Sequence, residues 1–181
     1  NYRLHKALYS GHNDHNYFEI AHTVRETSRW KLYNFVDNHD VARIASKLTA
    51  KSNFLPVHVL LYTLPGIPSL YYGSEFGIEG KKERWSDRNL RPELRLEDFR
   101  GNDQAKLIAS LGRLRGALSE LSYGDYEERV LTNETYAFSR SLEGKRSIVT
   151  VNNANSPKEM PMEPGFRGVL LGLRAEHGSV V

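Results

Sequence analysis

Asn34-Phe35-Val36-Asp37-Asn38-His39-Asp40 is the stretch whose reading decides the fold. A β-prone run from Trp30 to Val36 ends abruptly in four polar side chains: two carboxylates, an amide and an imidazole. Such a change marks the exit of a strand into a loop. The two carboxylates stand three residues apart, so on an extended chain they point to opposite faces and do not make a catalytic dyad. Asp, Asn and His together supply the acceptors and donors that bind hydroxyl-rich ligands. The competing reading gives Asp40 a local task, capping the helix that follows.

Working outward, Asp14 to Ser28 reads as a helix, with Tyr17, Ile20, Ala21 and Val24 at three-to-four spacing. Val41 to Leu48 and Asn53 to Leu64 read as two more. Pro56 falls in the first turn of the latter, where a missing N–H costs little. Ser69-Leu70-Tyr71-Tyr72 has the pattern of a buried strand closed by Gly73. Gly77 to Phe99 is a long charged excursion, of a length that compact domains mostly reserve for functional loops. Asn102 to Leu121 is the clearest helix, with Asn102 or Asp103 as its cap and a leucine-rich stripe for packing on a sheet. Strand, helix, strand, long loop, helix is the order of parallel βα units. Chemistry in such units collects on loops leaving the C-terminal ends of strands. Two segments have that place, Asp37 to Asp40 and Ser74 onward.

The style changes after Ser122. Arg129 to Thr132, Thr135 to Leu142 and Arg146 to Asn152 are strand-like, separated by the turn sequences Asn133-Glu134 and Glu143-Gly144-Lys145. Phe166 to Leu171 and Val180-Val181 are further candidates. A boundary near Ser122 to Gly124 divides the chain into an α/β portion, 1–121, and an all-β antiparallel sandwich, 122–181.

Composition narrows the classes. The 181 residues carry a net charge of only +3, and the 25 Lys and Arg are spread along the chain. A nucleic-acid partner would call for a concentrated basic face, so none is expected. No apolar run approaches the roughly 20 residues that span a bilayer, so no membrane segment is expected either. The absence of cysteine excludes disulfides and thiolate metal sites. His12-Asn13-Asp14-His15 has a spacing that could suit a metal, but two histidines before a helix, with no third ligand nearby, read as capping and surface residues. Cytoplasmic and secreted locations both stay open.

At this point the two strand exits acquire a shared resemblance. Phe35-Val36-Asp37-Asn38-His39-Asp40 resembles the block at the seventh barrel strand of the α-amylase family, glycoside hydrolase family 13. Leu64-Pro65-Gly66-Ile67-Pro68-Ser69-Leu70-Tyr71-Tyr72-Gly73-Ser74-Glu75 resembles that family's eighth strand, at the separation the family shows. Asn1-Tyr2-Arg3-Leu4 resembles sequence near its sixth strand. The implied fold is part of a (β/α)8, or TIM, barrel, about strands 6/7 to 8 with their helices, followed by the family's C-terminal β-sandwich.

The resemblance implies retaining cleavage or transfer at α-1,4-glucosidic bonds of starch, maltodextrins or related α-glucans. Asp40 matches the aspartate that supports the transition state, and His39 the histidine contacting the same sugar; Asn38 joins them as a binding residue. Ser86-Asp87-Arg88-Asn89-Leu90-Arg91-Pro92 resembles a shorter pattern in which an aspartate and an arginine four residues later hold the neighbouring glucose, here Asp87 and Arg91. The pattern often has proline after the aspartate where this chain has Arg88, and a surface ion pair is the alternative reading. Glu75 is expected to be structural. Trp85 and Tyr72 could stack on sugar faces or simply pack. The nucleophile and acid/base belong to the fourth and fifth strands, and no segment of either type occurs in the 181 residues. The resemblance thus implies a chain that begins after both, inactive alone, needing no cofactor itself, with calcium belonging to the part before Asn1. The expected ligand is an α-glucan or maltooligosaccharide. A non-catalytic α-glucan-binding module and a half-barrel interaction partner are the alternatives, and exposed barrel edges imply self-association.

Overall fold

The computed structural model describes residues 1–161, 175–176 and 179–180. The chain opens with two antiparallel-packed helices, α1 (Tyr2–Asn13) and α2 (Tyr17–Thr27). The Asn1 side chain caps α1 by accepting from the Leu4 N–H at 3.2 Å. Gly11 lets the two helices meet: a Cβ there would stand 2.8 Å from Ile20 Cγ1. The likeness of Asn1 to Leu4 to sequence near a barrel strand therefore meets a helix, which starts at Tyr2.

Two short strands follow, β1 (Tyr33–Phe35) and β2 (Ile67–Ser69), paired in parallel with Tyr33 opposite Ile67. Between them run α3 (Ile44–Lys47) and α4 (Phe54–Thr63), so the crossover is the βα unit expected. The helix expected from Val41 is shorter, because Arg43 is extended and its N–H is bonded to Gly80 O. The buried strand expected at Ser69 to Tyr72 lies earlier, and Ile67 is 51% exposed. Among the described residues each of the two strands pairs only with the other, which leaves their outer edges open.

The excursion after β2 contains short 3-10 turns at Ser74–Phe76, Arg88–Leu90 and Leu96–Phe99. It leads to α5 (Asp103–Ala117), capped by Asn102 through the Ala105 N–H, and to α6 (Ser119–Tyr123). Then come β3 (Asp125–Leu131), β4 (Thr135–Leu142) and β5 (Lys145–Asn152), an antiparallel sheet in that order. Glu143 and Gly144 both have positive φ, 50° and 81°, the two-residue turn that suits a hairpin's twist. A second antiparallel sheet joins β6 (Met160–Pro161), β7 (Ala175–Glu176) and β8 (Ser179–Val180) in the order β6-β8-β7. The candidate strand Phe166 to Leu171 and the last residue, Val181, lie outside the described residues.

One apolar core serves both parts. Leu4, Leu8 and Ile20 from the first helices, Leu60 and Leu61 from α4, and Tyr136, Phe138 and Val151 from the sheet belong to a single buried cluster. Arg140 crosses the same seam: its guanidinium is buried and donates to Thr63 O at 2.7 Å and Gly124 O at 2.9 Å. Burial pushes its pKa down to about 10.

Candidate functional site

The loop leaving β1 sorts its polar residues by depth. Asp37 is buried; one carboxylate oxygen accepts from the Ile44 N–H at 2.8 Å and the other from Ser74 Oγ at 2.6 Å. The first N–H of α3 is thus satisfied by Asp37, so the competing reading of Asp40 as the cap is corrected to the aspartate three residues earlier. Burial pushes the Asp37 carboxyl above its usual range, against the pull of Ser74, Ile44 N–H and the Arg43 charge.

His39 and Asp40 face solvent, and Asn38 beside them is half-buried. The Asn38 side-chain oxygen accepts from the Asp40 N–H at 2.8 Å, folding the loop into a tight turn. His39 Nε2 stands 3.3 Å from Asp40 Oδ2, with both side chains about half exposed. Tyr2, from the first turn of α1, closes the group: its hydroxyl accepts from Asn38 Nδ2 at 3.4 Å and lies 3.5 Å from Asp40 Oδ2. Its ring meets Phe35 edge-on at 5.0 Å.

The second loop brings Asp87 and Arg91 to the same region. Arg91 Nη2 donates to Asp87 Oδ2 at 3.3 Å, and Lys82 holds the other oxygen. Chiefly through Lys82, and further through Arg91 and His39, the Asp87 carboxyl is held below its usual range. Arg43 joins the two loops: it follows Asp40 by three residues, and its guanidinium donates to Leu90 O at 2.8 Å, next to Arg91. Tyr71 stands beside the first loop, with its ring 6.4 Å from that of His39 and 4.2 Å from the Arg43 guanidinium carbon. Tyr72 is 44% exposed and donates to Pro92 O at 3.0 Å. Trp85 is 86% exposed. Glu75 is half-buried, with one oxygen buried and without a hydrogen-bond partner.

The five residues singled out in the sequence thus stand on two adjacent loops. Tyr2 and Tyr71 join them, and sequence reasoning singled out neither for this place. Tyr2 gives no local signal, since only the docking of α1 on β1 brings it there; Tyr71 hid inside a strand-like run. His12 is wholly buried, its Nδ1 bonded to Leu8 O and its Nε2 to the Tyr17 hydroxyl, so it is a core residue rather than the surface one expected. His15 is exposed, 3.5 Å from Glu134. Among the described residues no group of three or more His, Asp or Glu converges as a metal site.

Comparison with known proteins bears on the family and the fold. The family described as alpha amylase, catalytic domain, matches residues 6–110, more than half of the chain. A cyclomaltodextrin glucanotransferase from Bacillus sp. (strain 1-1) is 31% identical over 149 residues, 78% of this chain and 20% of that protein. An alpha-amylase from Saccharomycopsis fibuligera is 33% identical over 125 residues, 67% of this chain and 24% of that protein. The crystal structure of a cyclomaltodextrin glucanotransferase with a three-domain ABC distribution superposes with a TM-score of 0.79 at 23% identity, over 99% of this chain and 40% of that one. The fold is therefore that of alpha-amylase-type barrel enzymes, and the chain spans about one fifth to one quarter of the length of these two curated relatives. With β1 and β2 as neighbouring barrel strands and the polar loops at their C-terminal ends, this chain belongs to the alpha-amylase family of glycoside hydrolases.

Proposed function

We propose that this chain forms one wall of a site that cleaves or transfers α-1,4-glucosidic bonds, acting on starch, maltodextrins or a related α-glucan. The single observation that carries the reading is the group Asn38-His39-Asp40, its imidazole and carboxylate open to solvent, together with the Asp87–Arg91 pair, at the exits of two parallel strands. In this reading Asp40 hydrogen-bonds hydroxyls of the distorted sugar and so supports the positive transition state. His39 and Asn38 fix the same sugar, and Asp87 with Arg91 holds the glucose next to it. Neutral or charged, the His39 imidazole can donate to a hydroxyl where charge develops.

The bond-breaking step itself needs two carboxyl groups about 5 Å apart across the glycosidic bond. Asp37 cannot be one of them, since both its oxygens are bonded inside the protein. Asp87 is held by two cations. The 181-residue chain is accordingly proposed to bind α-glucan without turning it over, and to associate with a second copy through the open edges of β1 and β2.

Titration with maltoheptaose, followed by NMR, is expected to shift the His39 resonances first. Asp40→Ala and Asp87→Ala should each weaken binding about tenfold, the scale of one charge-assisted hydrogen bond. Starch hydrolysis by the purified chain should stay at the uncatalysed level. Cleavage at ordinary glycosidase rates, or no binding at millimolar sugar, would overturn the reading.

A further inference from the structure

Arg43 belongs to the loop of His39 and Asp40, yet it has no exposed surface. One guanidinium nitrogen donates to Tyr72 O at 2.6 Å and to Ser74 Oγ at 3.1 Å, and the other to Leu90 O at 2.8 Å. Its backbone N–H donates to Gly80 O at 2.8 Å. The guanidinium carbon lies 4.2 Å from the centre of the Tyr71 ring and 5.3 Å from that of Tyr72. All these partners stand on the segment after β2: at its start, at its middle, and immediately before Arg91. Gly80 fits there only without a side chain, because a Cβ would stand 2.3 Å from Asn89 O and 3.1 Å from Arg43 Cγ. Asp37 balances the buried charge from below, bonded to the same Ser74 hydroxyl.

We propose that Arg43 is a positioning residue: it fixes the Asp87–Arg91 turn against His39 and Asp40, and so sets how tightly the neighbouring sugar unit is held. Being buried, it cannot touch sugar, and its effect passes through the loop. A guanidinium serves because its rigid fork engages three acceptors through two nitrogens while its face rests on an aromatic ring. A lysine keeps the charge but not the fork. The proposal rests on the reading of Asp87 and Arg91 as sugar-binding residues.

The test uses Arg43→Lys and Gly80→Ala in the whole 181-residue chain, read by amide exchange and by maltoheptaose affinity. Both variants should speed exchange across residues 80–91 at least tenfold and weaken maltoheptaose about tenfold, while β4 and β5 keep the parent's protection. Unchanged exchange in residues 80–91 would overturn the proposal, as would a loosened loop that binds maltoheptaose as tightly as the parent. Should Arg43→Lys lose protection in β4 and β5, Gly80→Ala decides, since it keeps the guanidinium but presses both on Asn89 O and on the arginine stem, and so disturbs their packing without removing the charge. A parent chain that binds no maltoheptaose would remove the sugar half of the proposal and the functional reading with it. The exchange readout would still decide whether Arg43 holds the turn.

Discussion

At Asp37 the carboxylate faces inward and holds the Ile44 N–H and the Ser74 hydroxyl, whereas at Asp40, three residues on, it faces water beside His39. Removing the first strands two buried donors, each worth about 1–3 kcal/mol when left without a partner. Removing the second disturbs a surface group, an effect usually within about 0.5 kcal/mol. Urea unfolding of Asp37→Ala and Asp40→Ala should therefore separate the two by more than about 1 kcal/mol; equal losses would show that the inner aspartate is not the structural one. Alternation along an extended chain put these carboxylates on opposite faces. Which of them turned inward could not be read, because the choice depends on Ser74 and Arg43, brought in by other segments. Arg43 itself passed unnoticed, since an arginine in a helix-like run reads as a solvated side chain.

Among the elements, α4 shows how apolar patterning succeeds and where it hides chemistry. Its long hydrophobic run forms a helix close to the expected bounds, yet His58 within it is wholly buried, its ring tilted 34° against that of Phe54 at 4.0 Å and its Nε2 unbonded. Burial lowers the pKa of both His58 and His12 to about 4, from 6.5. The folded chain then takes up these protons less readily than the unfolded chain. Stability is full above about pH 6.5 and declines as pH falls toward 4, by about 1.4 kcal/mol per pH unit for each histidine. Burial lowers His5 as well, in the same direction; urea unfolding from neutral pH to about 4.5 should trace the combined slope, and His58→Phe should flatten it by that histidine's share. A slope unaltered by the substitution would mean that other groups carry the acid response. Helix α1 escaped the sequence for a related reason: its buried face alternates Leu4, Ala7 and Leu8 with His5, Gly11 and His12. An apolar count sees only half of that face.

For the molecule as a whole, the order of βα units followed by antiparallel strands was legible, because strand exits, turns and the long loop all leave local signatures. The join between the two parts was not, since nothing local says that Tyr136 and Phe138 will share a core with Leu60 and Leu61. The parallel pair is the exposed flank: Tyr33 is 62% and Ile67 51% accessible, on strands with open edges. Sedimentation over a concentration series should reveal reversible self-association that Ile67→Lys diminishes. A monomer at every concentration, with β1 and β2 amides protected, would count against it.

The shared core also fixes where relatives could exchange parts. A chimera spliced at the change of sequence style near residue 122 would cut between Thr63 and Arg140, and between Leu60 and Phe138, asking a foreign sheet to mate with a native helix. A recombinant is expected to fold when α4 and β4 come from the same parent. The heritable module of this protein is therefore drawn by its buried contacts, and it straddles the border that its amino-acid composition suggests.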